Sequence, residues 1–342
     1  MSHTVRLANV DALRGLASLA VCWFHMTNGY SENSLVRASG QYGWLGIEIF
    51  FVISGFIIPY ALCKGGYTLQ SGWGTFIWKR ILRIEPPYLI AMLLTLGLWY
   101  ASSIAPGFRG QPPPGILSTQ VLFHVGYLNG IVGYPWLNPV FWTLAIEFQF
   151  YLLISILFGL IGSRRWGTLI LANGLLLLAP FVIRSELFVF HYLGLFLLGV
   201  AAFQYQVGLI GRTALSGCLA AAALSVFVTH GLLASLAGLA TVLLLLQNVP
   251  LLANRSLVML RAISYSLYLL HVPIGGRVVN LGRRYVETQS GEALLSIGAV
   301  IVSVFSAYVF YRLVEKPSQE IASKFKYRLN KTSFEPNLRL RG

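Results

Sequence analysis

The chain has few charged residues for its length. Asp, Glu, Lys and Arg make up only 11% of its 342 residues, whereas 56% are hydrophobic and the mean hydropathy is +0.70. A soluble protein of this size needs many more polar side chains to cover its surface. The composition therefore excludes a soluble globular protein and predicts a membrane protein.

Cysteine is scarce, and no internal repeat is visible. The three cysteines, Cys22, Cys63 and Cys218, are scattered without the spacing of metal ligands, and an odd number cannot form a complete set of disulfides. We therefore interpret them as small core residues and predict no metal site. We also expect no permanently bound cofactor. The two halves of the chain also lack the similarity to each other that many transporters show.

Apolar segments close to the ~20 residues that cross a bilayer recur along the whole chain. They predict an all-α polytopic fold of about ten transmembrane helices around an intramembrane cavity. The approximate limits are 10–29, 43–62, 86–104, 140–161, 167–183, 187–205, 211–229, 232–249, 260–280 and 293–314. The first segment carries Asp11 and Arg14 at its start and has no small-residue cleavage site, so we expect it to be retained rather than removed as a signal peptide.

The basic residues are distributed unevenly between the two sides of the predicted bundle. With ten spans both termini share a side, and the positive-inside rule makes that side the cytoplasm. Nineteen of the 25 Lys and Arg residues then lie inside, and six lie outside: Arg37, Arg109, Arg184, Arg277, Arg283 and Arg284. The net charge of +14 is thus explained by membrane topology, and we expect no nucleic-acid partner.

The sequence indicates one membrane domain, 1–316, followed by a short basic cytoplasmic tail, 317–342. We expect Pro317 to end the last helix, because proline cannot continue a helix without losing a hydrogen bond. The tail is expected to contact anionic lipid headgroups through its basic residues, Lys324, Lys326, Arg328 and Lys331.

The first predicted span contains both an arginine and a histidine. Arg14 and His25 are eleven residues apart. On an α-helix this spacing puts them within about 20° of one direction and about 16 Å apart along the axis. Ionisable groups inside a membrane usually face a protein interior or a watery cavity. We therefore predict one functional path lined by a cation and a proton-transfer group; the alternative is two separate, structurally satisfied polar residues.

Two predicted spans contain a buried carboxylate. Glu48 lies at about the depth of His25, where a carboxylate can orient an imidazole as a general base. Glu147 and Tyr151 lie one helical turn apart and can face a common partner. For Glu48 the alternative is a polar contact in helix packing, with Ser54 and Gly55 allowing a close approach of the helices. For Glu147 it is a hydrogen-bonded structural role.

A basic cluster precedes the third span. Arg80 and Arg83 are three residues apart and share a face if the run is helical, and guanidinium groups suit bidentate contact with phosphate. An ordinary cytoplasmic anchor explains the pair equally well. Because Arg14 is expected at a similar depth, we predict that the three arginines hold an anionic nucleotide carrier whose reactive end points toward His25.

The ninth span carries a polar stripe that includes Tyr265, Tyr268 and His271. Buried tyrosines are more often packing residues with a tethered hydroxyl than catalytic groups. A lone intramembrane histidine is unusual, so we interpret His271 equally as a packing residue or as part of the site.

Taken in order, six segments resemble acyltransferase family 3 over nearly the whole chain: Arg14 to His25, Gly46 to Gly55, Lys79 to Arg83, Trp142 to Tyr151, Ser264 to His271 and Glu315 to Pro317. The resemblance implies an integral O-acyltransferase of the bacterial inner membrane, in the stand-alone form without a fused esterase-like domain. It implies catalytic roles for His25, Glu48 and Glu147. The implied substrate contacts are Arg14, Arg80, Arg83, Trp142, Tyr151, Tyr265 and His271.

The implied reaction moves an acyl group, acetyl or alternatively succinyl, from acyl-coenzyme A on the cytoplasmic side to a sugar hydroxyl. The acceptor is expected to be a surface or exported glycan, free or lipid-linked. His25 is expected to take the acceptor proton or, in a variant route, to carry the acyl group covalently. The rival interpretation is a proton-coupled transporter or flippase in which His25, Glu48 and Glu147 relay protons. The oligomeric state does not follow from the sequence.

Overall fold

The computed structural model describes residues 2–105, 110–116, 118–247 and 255–325. Arg109 and the predicted tail residues Lys326, Arg328 and Lys331 lie outside these ranges. The described residues form fourteen α-helices, which are in chain order α1 (Ser2–Thr27), α2 (Leu35–Gly40), α3 (Leu45–Lys64), α4 (Leu69–Ser103), α5 (Thr119–His124), α6 (Phe141–Ile161), α7 (Trp166–Val182), α8 (Leu193–Gln206), α9 (Arg212–His230), α10 (Leu232–Leu246), α11 (Arg255–Leu270), α12 (Gly276–Gly282), α13 (Gln289–Phe310) and α14 (Lys316–Lys324).

The all-α polytopic fold predicted from the sequence is confirmed. Each of the ten predicted spans overlaps helical chain, and no strand occurs in the described ranges. Six helical segments there are long and apolar enough to cross a bilayer, and α7 and α10 are shorter apolar helices.

The third predicted span begins too late. The sequence predicts a start near Pro86, but α4 begins at Leu69 and runs through both Pro86 and Pro87. Packing of α4 against the bundle therefore outweighs the local cost of the two prolines. The additional turns carry Arg80 and Arg83, which consequently lie on one helical face.

The expected helix end at Pro317 is also wrong. A π-helical turn, Tyr311–Glu315, joins α13 directly to α14, which continues to Lys324. Pro317 lies in the first turn of α14, a position at which helices tolerate proline. The predicted tail thus begins as a helix, and α14 packs against α4.

Helices α3 and α8 cross at the centre of the bundle through two glycines. A Cβ atom on Gly55 would overlap the backbone carbonyl of Phe196, and one on Gly199 would overlap the carbonyl of Val52. Glycine therefore allows these two backbones to touch, as small residues commonly do between membrane helices.

Close backbone contacts at glycines also hold helix α1 between α3 and α11. Gly43 and Gly46 lie against backbone carbonyls of α1, those of Ala20 and Ala17 respectively. On the other side Gly15 approaches the backbone of Leu260 and Arg261, where an added Cβ would lie 3.1 Å from the nearest atoms. The helix with Arg14 and His25 therefore has protein on two sides rather than lipid.

We expect Gly199→Ala to destabilise the protein by about 1–3 kcal/mol, because the added methyl group must separate α3 from α8. Unfolding by SDS titration of the purified protein measures this change. Gly217→Ala is the matched control, since a Cβ at this helical glycine meets no atom within 4 Å. Equal stability of the two variants would contradict the assigned close contact.

Candidate functional site

The largest polar cavity near the predicted site lies between α1, α4, α6, α11 and the junction of α13 with α14. We call it the arginine cavity. Its volume is about 390 Å³, and its lining includes Arg14, Arg80, Arg83 and Arg261. The structure thus brings together the three arginines that the sequence analysis grouped. Arg261 was not anticipated, because in the sequence it resembles an ordinary basic residue at the start of a span.

Only part of this positive charge is neutralised within the protein. Nε of Arg261 lies 3.0 Å from Oδ2 of Asp11. Among the described residues, no carboxylate lies within 4.0 Å of the Arg14, Arg80 or Arg83 guanidinium nitrogens. These three guanidinium groups therefore retain N–H donors for an anion.

Glu147 and Tyr151 form the wall of the arginine cavity that belongs to α6. Oε1 of Glu147 accepts hydrogen bonds from the Tyr151 hydroxyl at 2.7 Å and from Oγ of Ser54 at 3.0 Å. The guanidinium carbon of Arg80 lies 4.9 Å from the centre of the Tyr151 ring, within the range of a cation–π interaction. The predicted pair one turn apart is therefore part of one network with Arg80.

Glu315 also lines the arginine cavity, but its carboxylate is engaged in hydrogen bonds with neighbouring residues. It accepts hydrogen bonds from the backbone N–H of Ser266 at 3.1 Å and from Oγ of the same serine at 2.5 Å. Gln319 donates a third at 2.8 Å. Glu315 thus fastens the α13–α14 junction to α11, in keeping with a structural role.

A narrow slot extends from the arginine cavity toward the opposite end of the bundle. Its volume is about 30 Å³, enough for only a few water molecules, and it shares Arg14, Glu147 and Tyr265 with the cavity. Tyr265 is fixed there by donating a hydrogen bond to the carbonyl of Ile84 at 3.0 Å. The slot therefore marks the direct route from the arginines into the bundle.

Tyr268 closes the far end of the slot. Its hydroxyl lies 2.5 Å from Oγ1 of Thr143, and its ring centre is 5.9 Å from that of His271. Sequence reasoning treated Tyr268 as a packing residue only. In the structure it lies between the slot and His271, the neighbour of His25.

His25 lines a second cavity, of about 210 Å³, at the opposite end of the bundle. We call it the histidine cavity. His271 lies directly beside His25, and its Nε2 is 3.3 Å from Nδ1 of His25. The sequence analysis left the role of His271 open, and the structure makes it the direct neighbour of His25.

Backbone contacts define which nitrogen of each neutral ring carries the hydrogen. Nδ1 of His25 lies 2.9 Å from the carbonyl of Val21, and Nδ1 of His271 lies 2.9 Å from the carbonyl of Leu267. A carbonyl oxygen only accepts, so both Nδ1 atoms are donors. Nε2 of His25 is then left with its lone pair, as a general base requires.

A π-helical turn, His271–Gly275, follows α11 and contains Pro273. A Cβ on Gly275 would collide with side chains of Ser303 and Met26, so the turn is packed tightly against α13 and α1. π-Helical turns within helices are frequent at functional sites. Here the turn fixes His271 beside His25.

The structure does not bring Glu48 to His25. Gly46 faces α1, and Glu48, two residues later, projects about 160° away around α3. Glu147 belongs to the arginine cavity, so neither carboxylate orients the His25 ring. The expected contact between His25 and a carboxylate is replaced by the contact with His271.

Trp142 lies apart from the cavities. Its ring centre is 6.5 Å from that of Phe51 and 5.8 Å from that of Tyr192, which makes it part of an aromatic cluster between α3, α6 and the start of α8. Trp142, a predicted substrate contact, lines neither the arginine cavity, nor the slot, nor the histidine cavity. In the described ranges no group of three or more His, Cys, Asp or Glu residues is placed to hold a metal ion.

Comparison with known proteins agrees with this architecture. The profile of the family described as an acyltransferase domain (Acyl_transf_3) matches residues 7–312. ORF330 of Acidianus two-tailed virus, named as an acetyltransferase, is 27% identical over 52% of this chain and 49% of its own. BcsY of Komagataeibacter xylinus, named as a membrane-bound transacylase, is 29% identical over 49% of this chain and 41% of its own.

A third relative is the peptidoglycan O-acetyltransferase OatA of Listeria monocytogenes, which is 28% identical over 42% of this chain and 23% of its own. The matches therefore span half or less of the length of these relatives. No solved structure matches the chain significantly.

The arginine cavity is expected to bind inorganic pyrophosphate. Replacing both Arg80 and Arg83 by Gln should weaken this binding at least about tenfold, because each charge-assisted hydrogen bond contributes about 1.5–3 kcal/mol. Thermal stabilisation of the purified protein across a pyrophosphate titration measures the affinity. The matched control replaces Arg164 and Arg165, which lie outside this cavity; an equal loss in both double variants would contradict a specific site.

Proposed function

The chain belongs to acyltransferase family 3, and on this premise we propose that it transfers an acyl group, acetyl in the first instance, from acyl-coenzyme A to a sugar hydroxyl of a surface or exported glycan. The observation that carries the proposal is the arrangement on α1: Arg14 lines the arginine cavity, and His25 lines the histidine cavity. One helix thus links an anion site with a general base.

We place the protein in the bacterial inner membrane, with both termini and the arginine cavity on the cytoplasmic side. The excess of lysine and arginine in the loops of that side supports this orientation. Acyl-coenzyme A is made in the cytoplasm, so its phosphates can reach Arg14, Arg80 and Arg83 directly. The acceptor then enters the histidine cavity from the other side.

The donor is proposed to lie with its phosphates on the arginines and its pantetheine arm in the slot. Planar guanidinium groups match phosphate oxygens in pairs, and the three arginines have no carboxylate partner among the described residues. The thioester reaches His25 when the slot widens and the Tyr268 side chain leaves Thr143. Tyr151 and Glu147 line this route and position the arm.

In the proposed reaction Nε2 of His25 takes the proton of the acceptor hydroxyl as its oxygen attacks the thioester carbonyl carbon. The C–S bond breaks, the new ester leaves with the sugar, and the coenzyme A thiolate takes the proton held on Nε2 of His25, which restores the neutral base. His271 holds the tautomer of His25 through the 3.3 Å contact. In the covalent variant the acyl group passes through Nε2 of His25 before the hydroxyl attacks.

A labelled-donor experiment separates this proposal from proton-coupled transport or lipid flipping. Purified protein in liposomes receives radiolabelled acetyl-coenzyme A on one side and a glycan acceptor on the other. Label on the acceptor supports acyl transfer. Absence of label, together with movement of an unmodified solute or lipid across the membrane, would instead support the transporter.

We expect His25→Ala to lower the rate of acyl transfer by about 10²–10⁴-fold, the usual contribution of a general base, without loss of folding. Transfer to a glycan acceptor and thermal stability are measured on the same preparation. His191→Ala is the control, since His191 lies at the same end of the bundle and lines neither cavity. Full activity in His25→Ala would reject the assigned role.

We expect the double substitution Arg80→Ala and Arg83→Ala to raise the KM for acetyl-coenzyme A while changing kcat much less. The reason is that both guanidinium groups hold phosphates remote from the reacting carbonyl, and such uniform binding affects KM. Initial-rate kinetics over a range of donor concentrations provide the test. An unchanged KM would refute phosphate binding by these arginines.

A further inference from the structure

The histidine cavity contains a basic residue that the transfer mechanism does not use. Its lining includes Arg283 as well as His25, together with the amide side chains of Asn28 and Asn280. No aspartate or glutamate is part of the lining. An acceptor in this cavity therefore meets one permanent positive charge and two neutral hydrogen-bonding groups.

Arg283 is held in a defined position at the mouth of the cavity. Its guanidinium carbon lies 5.3 Å from the centre of the Tyr30 ring, and a Cβ at Gly29 would approach within 2.8 Å of Nη1. Tyr30 is itself anchored, because its hydroxyl donates to the carbonyl of Glu292 at 3.2 Å. The Tyr30 ring covers one face of the Arg283 guanidinium group, and the N–H groups along the edge of that group stay available to a ligand.

The N–H groups of Arg283 have no acceptor among the described residues, and no carboxylate there lies within 4.0 Å of them. Arg277, one helical segment earlier, is different. It donates to the carbonyl of Pro273 at 2.6 Å and to Oγ of Ser102 at 3.4 Å, so it fastens α12 to its neighbours. Arg283 thus has donors to offer a ligand, whereas those of Arg277 are engaged in the fold.

The position of Arg283 in the sequence needs an explanation as well. In the proposed orientation it lies on the outer side, where arginine is disfavoured by the positive-inside rule. A cavity of about 210 Å³ is also smaller than the roughly 300 Å³ at which drug-sized pockets begin, so it suits a single ring better than an oligosaccharide.

We propose that the histidine cavity selects an anionic acceptor, a sugar whose oxyanion pairs with Arg283 while a hydroxyl of the same ring reaches Nε2 of His25. The inference rests on the proposed function for the identity of the ligand as acceptor. It adds the chemical class of that acceptor, an acidic rather than a neutral sugar, and names Arg283 as the residue that determines it. A guanidinium–oxyanion pair supplies the selectivity because the charge-assisted bond is lost with a neutral sugar.

The test measures binding without any acyl donor. Full-length protein in phosphatidylcholine nanodiscs is titrated with D-glucuronate and with methyl glucoside, and binding is followed by saturation-transfer NMR. We expect about tenfold tighter binding of glucuronate, corresponding to one charge-assisted interaction. Equal binding of the two sugars to the wild-type protein would overturn the inference.

Two variants test the position of the charge, and one serves as the control. Arg283→Gln removes the cation, and Gly29→Ala keeps it but displaces the guanidinium group. Both should abolish the preference for glucuronate, whereas Arg284→Gln, next to the cavity residue but outside the lining, should retain it. A preserved preference in either of the first two variants, or its loss in the third, contradicts the assignment.

A lipid phosphate is the other source of an oxyanion, so the titration is repeated in nanodiscs containing phosphatidylglycerol. Unchanged glucuronate binding supports the sugar, and its loss would show that a lipid headgroup occupies the site instead. Because acyl-coenzyme A is absent, the outcome is independent of catalysis. Selective glucuronate binding in a protein without transferase activity would overturn the proposed function and leave the anion site in place.

Discussion

The packing of α1 against α11 is the constraint on which both cavities depend. The two helices run in the same direction. Arg14 of α1 and Arg261 of α11 both line the arginine cavity, and His25, near the end of α1, lies beside His271, which directly follows α11. The contact at Gly15 lets the two backbones approach closely. Charged and proton-transfer groups are thereby removed from lipid together.

The surrounding helices complete the two ends differently. At the arginine end, α4 supplies Arg80 and Arg83, and α6 supplies the Glu147–Tyr151 pair. The arginines of the cavity therefore outnumber its carboxylates. At the histidine end, the polar groups are mostly neutral, and backbone carbonyls define the ring tautomers. One end thus concentrates positive charge, and the other places a neutral imidazole pair beside a cavity, which is the separation of roles that the proposed transfer needs.

The sequence predicted the span positions and the convergence of Arg14, Arg80 and Arg83, because hydropathy and positive charge report depth in the bilayer. Depth does not report the direction a side chain takes around its helix. Glu48 was therefore matched to His25 by depth, although Gly46 identifies the opposite face of α3 as the one against α1. The partner of His25 is 246 residues away, and only the packing of α1 on α11 reveals it.

The single tyrosine between the slot and the histidine pair has a further consequence for the cell. Two watery cavities that open toward opposite compartments would conduct protons if a continuous file of water joined them, and the membrane potential would be dissipated. The slot has room for only a few water molecules, and the Tyr268 ring in its lining lies 5.9 Å from the His271 ring, between the slot and that histidine. In the proposed orientation, this arrangement would let the protein present a base to one compartment and arginines to the other without a continuous water path between them.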